Sequence, residues 1–367
     1  MLDRTPSRRE ALRKTFREEG VEGVVISSFT NVTYLTAFTG DDSALFLTEN
    51  RAIVVSDGRY TTQLQAECPD VDHHIRPVGQ PLMEGVVEIA SKLGVKRLGF
   101  EASSLSVADF DDLKTKYATG ELKGIKDRVE RLRMIKDAGE VDAIREAIDY
   151  AERAFAMLRA GIRRDESEKD VTDVLESYMR RCGASASSFP PIVAVGRHAA
   201  LPHYHGSSEA KVGDDDFILV DWGACAGPWP YKSDLTRVLV TGRVTPQFER
   251  VYEVVLQAQL RGIQAIRPGR VCRDVDAEAR SVIIDAGFGE FYEHGLGHGL
   301  GLDIHEAPRL RRECEIVLQP GMVVTVEPGI YLPDWGGIRI EDDVLVTEDG
   351  FEVLTKAPKT LDSVLAG

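Results

Sequence analysis

The sequence predicts a mixed α/β protein of two domains, on three observations: its length, an alternation of helical and β-branched segments in its first third, and a change of character near residue 135. At 367 residues the chain exceeds one average domain and is long enough for two cores. Its 43% hydrophobic and 29% charged residues are the balance of a folded globular protein, neither disordered nor fibrous.

Residues 8–19 have helix-forming composition with Leu12 and Phe16 at i, i+4 spacing, and residues 21–27 turn β-branched, so a helix is expected to lead into a strand. Segments 44–47, 52–55 and 97–100 read as short strands, and 81–93 as a helix between them. From 123 to 140 the sequence is charged and poor in large apolar clusters until a helical pattern begins at Val141. The boundary is placed there, giving an α/β domain over 1–135 and a second domain over 136–367. In the second, helices over 141–159, 166–180 and 246–266 give way to β-rich, glycine-rich sequence, with no internal repeat and no low-complexity tract.

A net charge of −15 disfavours nucleic acid and anionic membrane surfaces as partners, because both require clustered Lys and Arg. The five cysteines (Cys68, Cys182, Cys225, Cys272, Cys314) are scattered and form no C-x-x-C pair, so they read as reduced thiols. The first twenty residues are dense in Arg and Glu with no signal-like apolar stretch, and no segment offers 18 consecutive apolar residues. The expected location is the cytoplasm, and the sequon at Asn31 reads as a chance match.

Six of the eight histidines lie between positions 198 and 305, three of them in His294-Gly-Leu-Gly-His298-Gly-Leu-Gly-Leu-Asp-Ile-His305. The glycines strip the backbone so that something can approach closely, and they argue against a helix. The spacing does not fit G-x-G-x-x-G or G-K-[ST], and His305-Glu306-Ala307-Pro308 does not complete H-E-x-x-H. Acids sit at the ends of apolar runs nearby. The run 217–220 ends in Asp221, 235–240 begins after Asp234, and 322–326 ends in Glu327. In 338–341, read as one strand, the period of two puts Arg339 and Glu341 on one face. If 217–240 is a hairpin, both aspartates sit near its turn. Each acid alone is an ordinary turn former, but four inward carboxylates repel unless cations compensate them. Two divalent ions supply +4 against −4 with a hydroxide between them, and an oxygen-rich set with one imidazole suits Mn²⁺, Co²⁺ or Zn²⁺.

These residues, in this order, resemble the pita-bread metallopeptidases, the family of aminopeptidase P, prolidase, methionine aminopeptidase and the metal-free creatinase. The resemblance implies metal ligands at Asp221, Asp234, His298, Glu327 and Glu341, a creatinase-like α/β N-terminal domain, and a C-terminal domain whose curved antiparallel sheet is flanked by helices. Asn31-Val-Thr-Tyr-Leu35, Phe38-Thr-Gly40 and Asp57-Gly-Arg-Tyr60 are similar to that N-terminal domain, which methionine aminopeptidases generally lack. The Xaa-Pro-cleaving branch is thereby favoured. The expected activity is a prolidase, hydrolysing Xaa-Pro dipeptides with two divalent ions, Mn²⁺ before Co²⁺ or Zn²⁺. Alternatives are an aminopeptidase P acting on longer peptides, a metal-free carbon–nitrogen hydrolase and a non-catalytic binding module; the full ligand set argues against the last two.

In this reading Glu327 takes the proton of the attacking water and passes it to the proline nitrogen, which has no N–H of its own. His203 and His305 would contact the tetrahedral intermediate or the proline-side carbonyl, and His294 would line the proline pocket. Tyr331 and Arg339 would orient Glu327 and Glu341. His198 and His205 read as structural. Arg309, Arg311 and Arg312 could hold a product carboxylate or be surface turns. The spacing of Asp221 and Asp234, thirteen residues, is two longer than usual in the family; Gly227-Pro-Trp-Pro230 in the hairpin loop would absorb the difference, with Trp229 at the rim of the site or simply packed in the loop. Since family members are often dimers or tetramers, the resemblance also implies a homodimer.

Overall fold

The computed structural model describes residues 4–118 and 120–363. The chain forms two units, Met1–Arg133 and Met134–Gly367. The first contains a six-stranded sheet of β1 (Gly23–Ile26), β2 (Ala44–Thr48), β3 (Ala52–Asp57), β4 (Asp72–Arg76), β5 (Arg97–Glu101) and β6 (Glu121–Ile125), in the order β4-β3-β2-β1-β5-β6. The β1–β2 and β2–β3 pairs are antiparallel and the rest parallel. Val25, Phe46, Val55 and Leu98 pack with Met83, Val86 and Ala90 of Leu82–Lys92, the helix read over 81–93.

Two expectations change here. The helix expected over 8–19 is two helices, Thr5–Arg13 and Phe16–Glu19, parted where the Thr15 hydroxyl donates to the Leu12 carbonyl at 2.7 Å. The charged stretch from 123 begins inside β6, an edge strand largely exposed apart from half-buried Leu122 and buried Ile125, and includes the helix Arg128–Arg133. Asn31 lies in the helix Phe29–Thr36, is fully buried, and donates through Nδ2 to Glu101 Oε1 and Glu130 Oε1, both at 2.6 Å. A glycan cannot be attached to that amide in the folded chain.

In the second unit the helices Ala138–Gly161 and Glu168–Cys182 open with reciprocal caps, Asp137 with Glu140 and Ser167 with Asp170. Both pack through Phe155, Leu158 and Leu175 on Val193, Val220 and Trp222, with the Phe155 and Trp222 rings stacked at 4.2 Å. Those last three residues belong to a sheet that follows the two-residue strand β7 (Ala186–Ser187): β8 (Ile192–Val195), β9 (Phe217–Trp222) and, past β10 (Ala224–Cys225), β11 (Leu235–Val240). A five-stranded sheet has the order β13-β12-β14-β17-β18, from β12 (Gly297–Gly299), β13 (Glu306–Leu310), β14 (Val323–Val326), β17 (Asp342–Val346) and β18 (Phe351–Val353); β15 (Gly329–Leu332) and β16 (Gly336–Arg339) form a separate hairpin. Pro246–Ala265 and Cys272–Asp285 cover it through Val251, Val255, Val275 and Ile283 against Val324 and Val344. Every strand pair of this unit is antiparallel. The helix-flanked antiparallel domain implied by the resemblance is therefore present, divided into segments.

The segment 338–341, expected as one strand, changes partner within four residues. Arg339 closes β16, and Asp342 opens β17. Between them Glu341 donates its N–H to the Thr236 carbonyl at 3.2 Å, linking the five-stranded sheet to β11. Arg237 secures the junction from below, donating to the Glu341 carbonyl at 2.5 Å and pairing with Asp342 at 2.7 Å, both side chains 1% exposed. Among the described residues no helix is long and apolar enough to cross a membrane.

Candidate metal centre

The register of β9 and β11 sets Asp221 opposite Thr236. Asp234, two residues earlier, shares the face of Thr236 and is diagonal to Asp221, so both carboxylates project from one side of the hairpin. The long connection is closed at Ala226 N to Tyr231 O, 2.8 Å, leaving 227–230 as its tip. The added residues thus lie beyond the strand ends and do not alter the register. Trp229 is half-buried in that tip.

His298 is the middle residue of β12. A Cβ at Gly297 would lie 2.1 Å from the Thr325 carbonyl, and one at Gly299 2.2 Å from the Ala307 carbonyl. What approaches the glycine run is therefore the backbone of the flanking strands β13 and β14. Gly297→Ala is expected to cost roughly 1–3 kcal/mol through overpacking against an immobile carbonyl. A denaturation midpoint equal to that of the parent would refute this account of the glycines.

Around His298 the acids converge. Asp234, His298 and Glu341 each offer a ligand atom within 4.8 Å of the others. His298 Nε2 is 3.3 Å from Glu327 Oε1 and 3.6 Å from Asp234 Oδ2. Arg339 Nη2 donates to Asp221 Oδ2 at 2.5 Å, and its Nε donates to the Thr236 hydroxyl, which donates in turn to Glu341 Oε2 at 2.7 Å. The remaining oxygens, Asp221 Oδ1 and Glu341 Oε1, are buried and have no hydrogen-bond partner among the described residues. Burial, then the charges of Glu341 and Asp221, raise the Asp234 pKa well above the carboxylate range, and burial followed by Glu327 and Asp221 does the same to Glu341. Orphaned lone pairs on mutually repelling buried acids are the condition that bound cations relieve, so the residues present fit a divalent-metal site.

Two relay expectations change. Arg339 touches Asp221 and reaches Glu341 only through Thr236; Tyr331 bridges Arg339 Nη1 and His294 Nε2, each at 2.9 Å, and does not touch Glu327. Glu327 instead accepts from Thr325 Oγ1 at 3.1 Å, and the same hydroxyl accepts from the His298 N–H at 3.0 Å. Thr236, Thr325 and a further buried acid, Asp343, whose Oδ2 accepts from Asp234 N at 3.1 Å, were not foreseen. Thr236 could have been found from the period of two, which puts it on the face of Asp234; its pairing with Asp221 is set by the strand register.

The His305 and His298 rings meet edge to face at 4.4 Å, and partial burial, then the charges of His298 and Arg309, lower the His305 pKa. His203 is exposed, close enough for its charge to be felt at His305. His198 donates from Nδ1 to the buried Glu168 at 2.8 Å and stacks on Tyr204, a structural placement, while His205 is exposed. Arg309 is half-buried, opposite His298 in the β12–β13 register, whereas Arg311 and Arg312 are exposed.

A carboxylate-rich nest with one imidazole at the strand ends of an α/β scaffold defines a metal-dependent hydrolase. The chain belongs to metallopeptidase family M24, whose profile matches residues 142–348, and the creatinase/prolidase N-terminal domain profile matches 8–135. It is 34% identical to the Xaa-Pro dipeptidase of Pyrococcus furiosus over 354 residues, covering 96% of this chain and 99% of that one, and 38% identical to an uncharacterized peptidase of Bacillus subtilis over 352 residues, covering 96% and 98%. Among solved structures it superposes on an Xaa-Pro dipeptidase from Bacillus anthracis with a TM-score of 0.93 at 37% identity, covering 98% and 99% of the two chains. An X-Pro aminopeptidase from Thermotoga maritima gives 0.87 at 34% identity, covering 95% and 99%.

Proposed function

We propose that the protein is a dinuclear Xaa-Pro dipeptidase, with Asp221, Asp234, His298, Glu327 and Glu341 as metal ligands. The observation that carries the reading is the convergence of these side chains with two buried carboxylate oxygens left unpartnered. Two divalent ions held there, Mn²⁺ before Co²⁺ or Zn²⁺, would supply hydroxide near neutral pH and polarise the scissile carbonyl. Glu327, held by Thr325 and His298, receives the proton of the attacking water and delivers it to the proline nitrogen. His305, whose ring meets that of His298, and His203, whose charge is felt at His305, would meet the developing oxyanion or the proline-side carbonyl. His294, fixed by Tyr331, faces the proline ring. Arg339 aims Asp221 and opposes the burial that raises its pKa. The chain's likeness to Xaa-Pro dipeptidases supports the substrate assignment, and a homodimer in the cytoplasm is the accompanying expectation.

Preference for dipeptides over longer peptides rests on Arg309, which among the described residues has no ion-pair or hydrogen-bond partner and can receive a terminal proline carboxylate. Arg309→Ala is expected to raise KM for Ala-Pro by about tenfold or more, the loss of a charge-assisted hydrogen bond, and to leave Ala-Pro-Ala within a few-fold. Equal effects on both peptides would remove Arg309 from this role. The overall test strips the metal, restores Mn²⁺, Co²⁺ or Zn²⁺ separately, and compares turnover of Ala-Pro with Ala-Pro-Ala. Faster cleavage of Ala-Pro supports the dipeptidase, faster cleavage of Ala-Pro-Ala the aminopeptidase, and silence on both with every metal defeats the peptidase reading.

A further inference from the structure

We propose that Glu168, outside the metal cluster, is the positioning residue that holds the loop 196–207 and thereby His203 at the substrate. The inference rests on the peptidase reading above and deepens it. Glu168 is the first residue of the helix Glu168–Cys182 and is fully buried. An acid at a helix start ordinarily faces water, where the helix dipole favours it; this one turns inward and its carboxylate accepts four hydrogen bonds. Oε1 accepts from Val195 N at 2.7 Å and from His198 Nδ1 at 2.8 Å; Oε2 accepts from the Tyr204 hydroxyl at 2.9 Å and from Ser207 N at 2.8 Å.

These four donors are spread along one loop. Val195 ends β8, His198 and Tyr204 lie within the loop with their rings stacked at 4.6 Å, and Ser207 closes it. The backbone N–H groups of Glu168 and Lys169 pair with the Ala210 and Ser207 carbonyls at 3.0 and 3.1 Å, so loop and helix start are joined along their length. His203 precedes Tyr204, is itself exposed, and has no hydrogen bond among the described residues. Its placement is therefore inherited from the neighbour that Glu168 holds. Two of the four partners, Val195 N–H and Ser207 N–H, can only donate, and they fall one on each carboxyl oxygen, so both Oε1 and Oε2 must be able to accept. Whichever way a glutamine amide turned, its NH₂ group would face one of these backbone N–H groups, and the loop would have to shift away from it.

The test uses the full-length, Mn²⁺-loaded protein on Ala-Pro, with Glu168→Gln, His203→Ala, Tyr204→Phe in case Glu168→Gln does not fold, and the two double variants that combine Glu168→Gln or Tyr204→Phe with His203→Ala. The expected result is a loss of about 10- to 100-fold in kcat/KM for Glu168→Gln, the range seen when a supporting partner of a site residue is removed, with bound Mn²⁺ and the Co²⁺ absorption spectrum unchanged. Tyr204→Phe, deleting one bond of the four, gives a smaller loss. Because both act through His203, neither adds to the loss caused by His203→Ala alone. Losses that multiply in the double variants, a neutral His203→Ala, or a fall in metal content parallel to activity would overturn the inference while leaving an active peptidase. A parent protein silent on the peptide overturns the underlying activity, and this inference with it.

Discussion

Replacing Glu327 with glutamine is expected to lower kcat on Ala-Pro by about 10²- to 10⁴-fold, the range for loss of a general base, with little change in KM. Burial alone would raise the pKa of this side chain, but the hydrogen bond and charge of His298, with the charges of His294 and Arg339, bring it below the usual carboxylate range. That favours the carboxylate form, the only form of this side chain that can accept a proton. Glutamine keeps a coordinating oxygen but cannot take that proton, so metal content, measured by mass spectrometry on the purified variant, should fall far less than turnover. A kcat within a few-fold of the parent would assign the proton transfer elsewhere.

Removal of the metal is expected to make stability depend on pH in an unusual direction. In the unloaded cluster Asp234 and Glu341 have folded-state pKa values raised above those of the unfolded chain, which lie near 4. A carboxyl raised in this way contributes stability that is fully present below the unfolded pKa and is lost as pH rises through the folded one. The Tm of the stripped protein should therefore fall between about pH 5 and pH 8, where globular proteins are ordinarily at their most stable. Saturating Mn²⁺ should restore it, by about 2.7 kcal/mol at a hundred times Kd. Asp234→Asn should raise the Tm of the stripped protein at the upper end of that range and abolish the gain from Mn²⁺. A stripped protein with flat or rising Tm over that interval would show that the acids are not crowded as the structure has them.

Legibility in the sequence followed burial. β1, β2, β3 and β5 stand out because their side chains are inward and apolar; β4 and β6, at the two edges of the sheet, are wet on both faces and carry no such signal. The acids of the cluster were legible because each closes or opens a buried strand, where an apolar run stops abruptly at a charge. The partner exchange at Ile340 was not, since nothing local distinguishes one straight strand from two that meet. For Arg339 the period of two names the face it shares with Glu341 but not the strands that carry its hydrogen-bond partners Asp221 and Thr236. Glu168 was illegible for a different reason: a carboxylate at a helix start looks like any solvated acid, and its burial is set by a loop without periodicity.

The exchange of partners between Arg339 and Asp342 also fixes an order of events in synthesis. Asp221 and Glu341 stand 120 positions apart, and domains emerge and fold from the N-terminus onward. A nascent chain that has not yet delivered β17 owns both aspartates but lacks the last acid and the junction that aims it. If the cluster holds ions as proposed, the complete ligand set would be available to them only after Glu341 has been delivered.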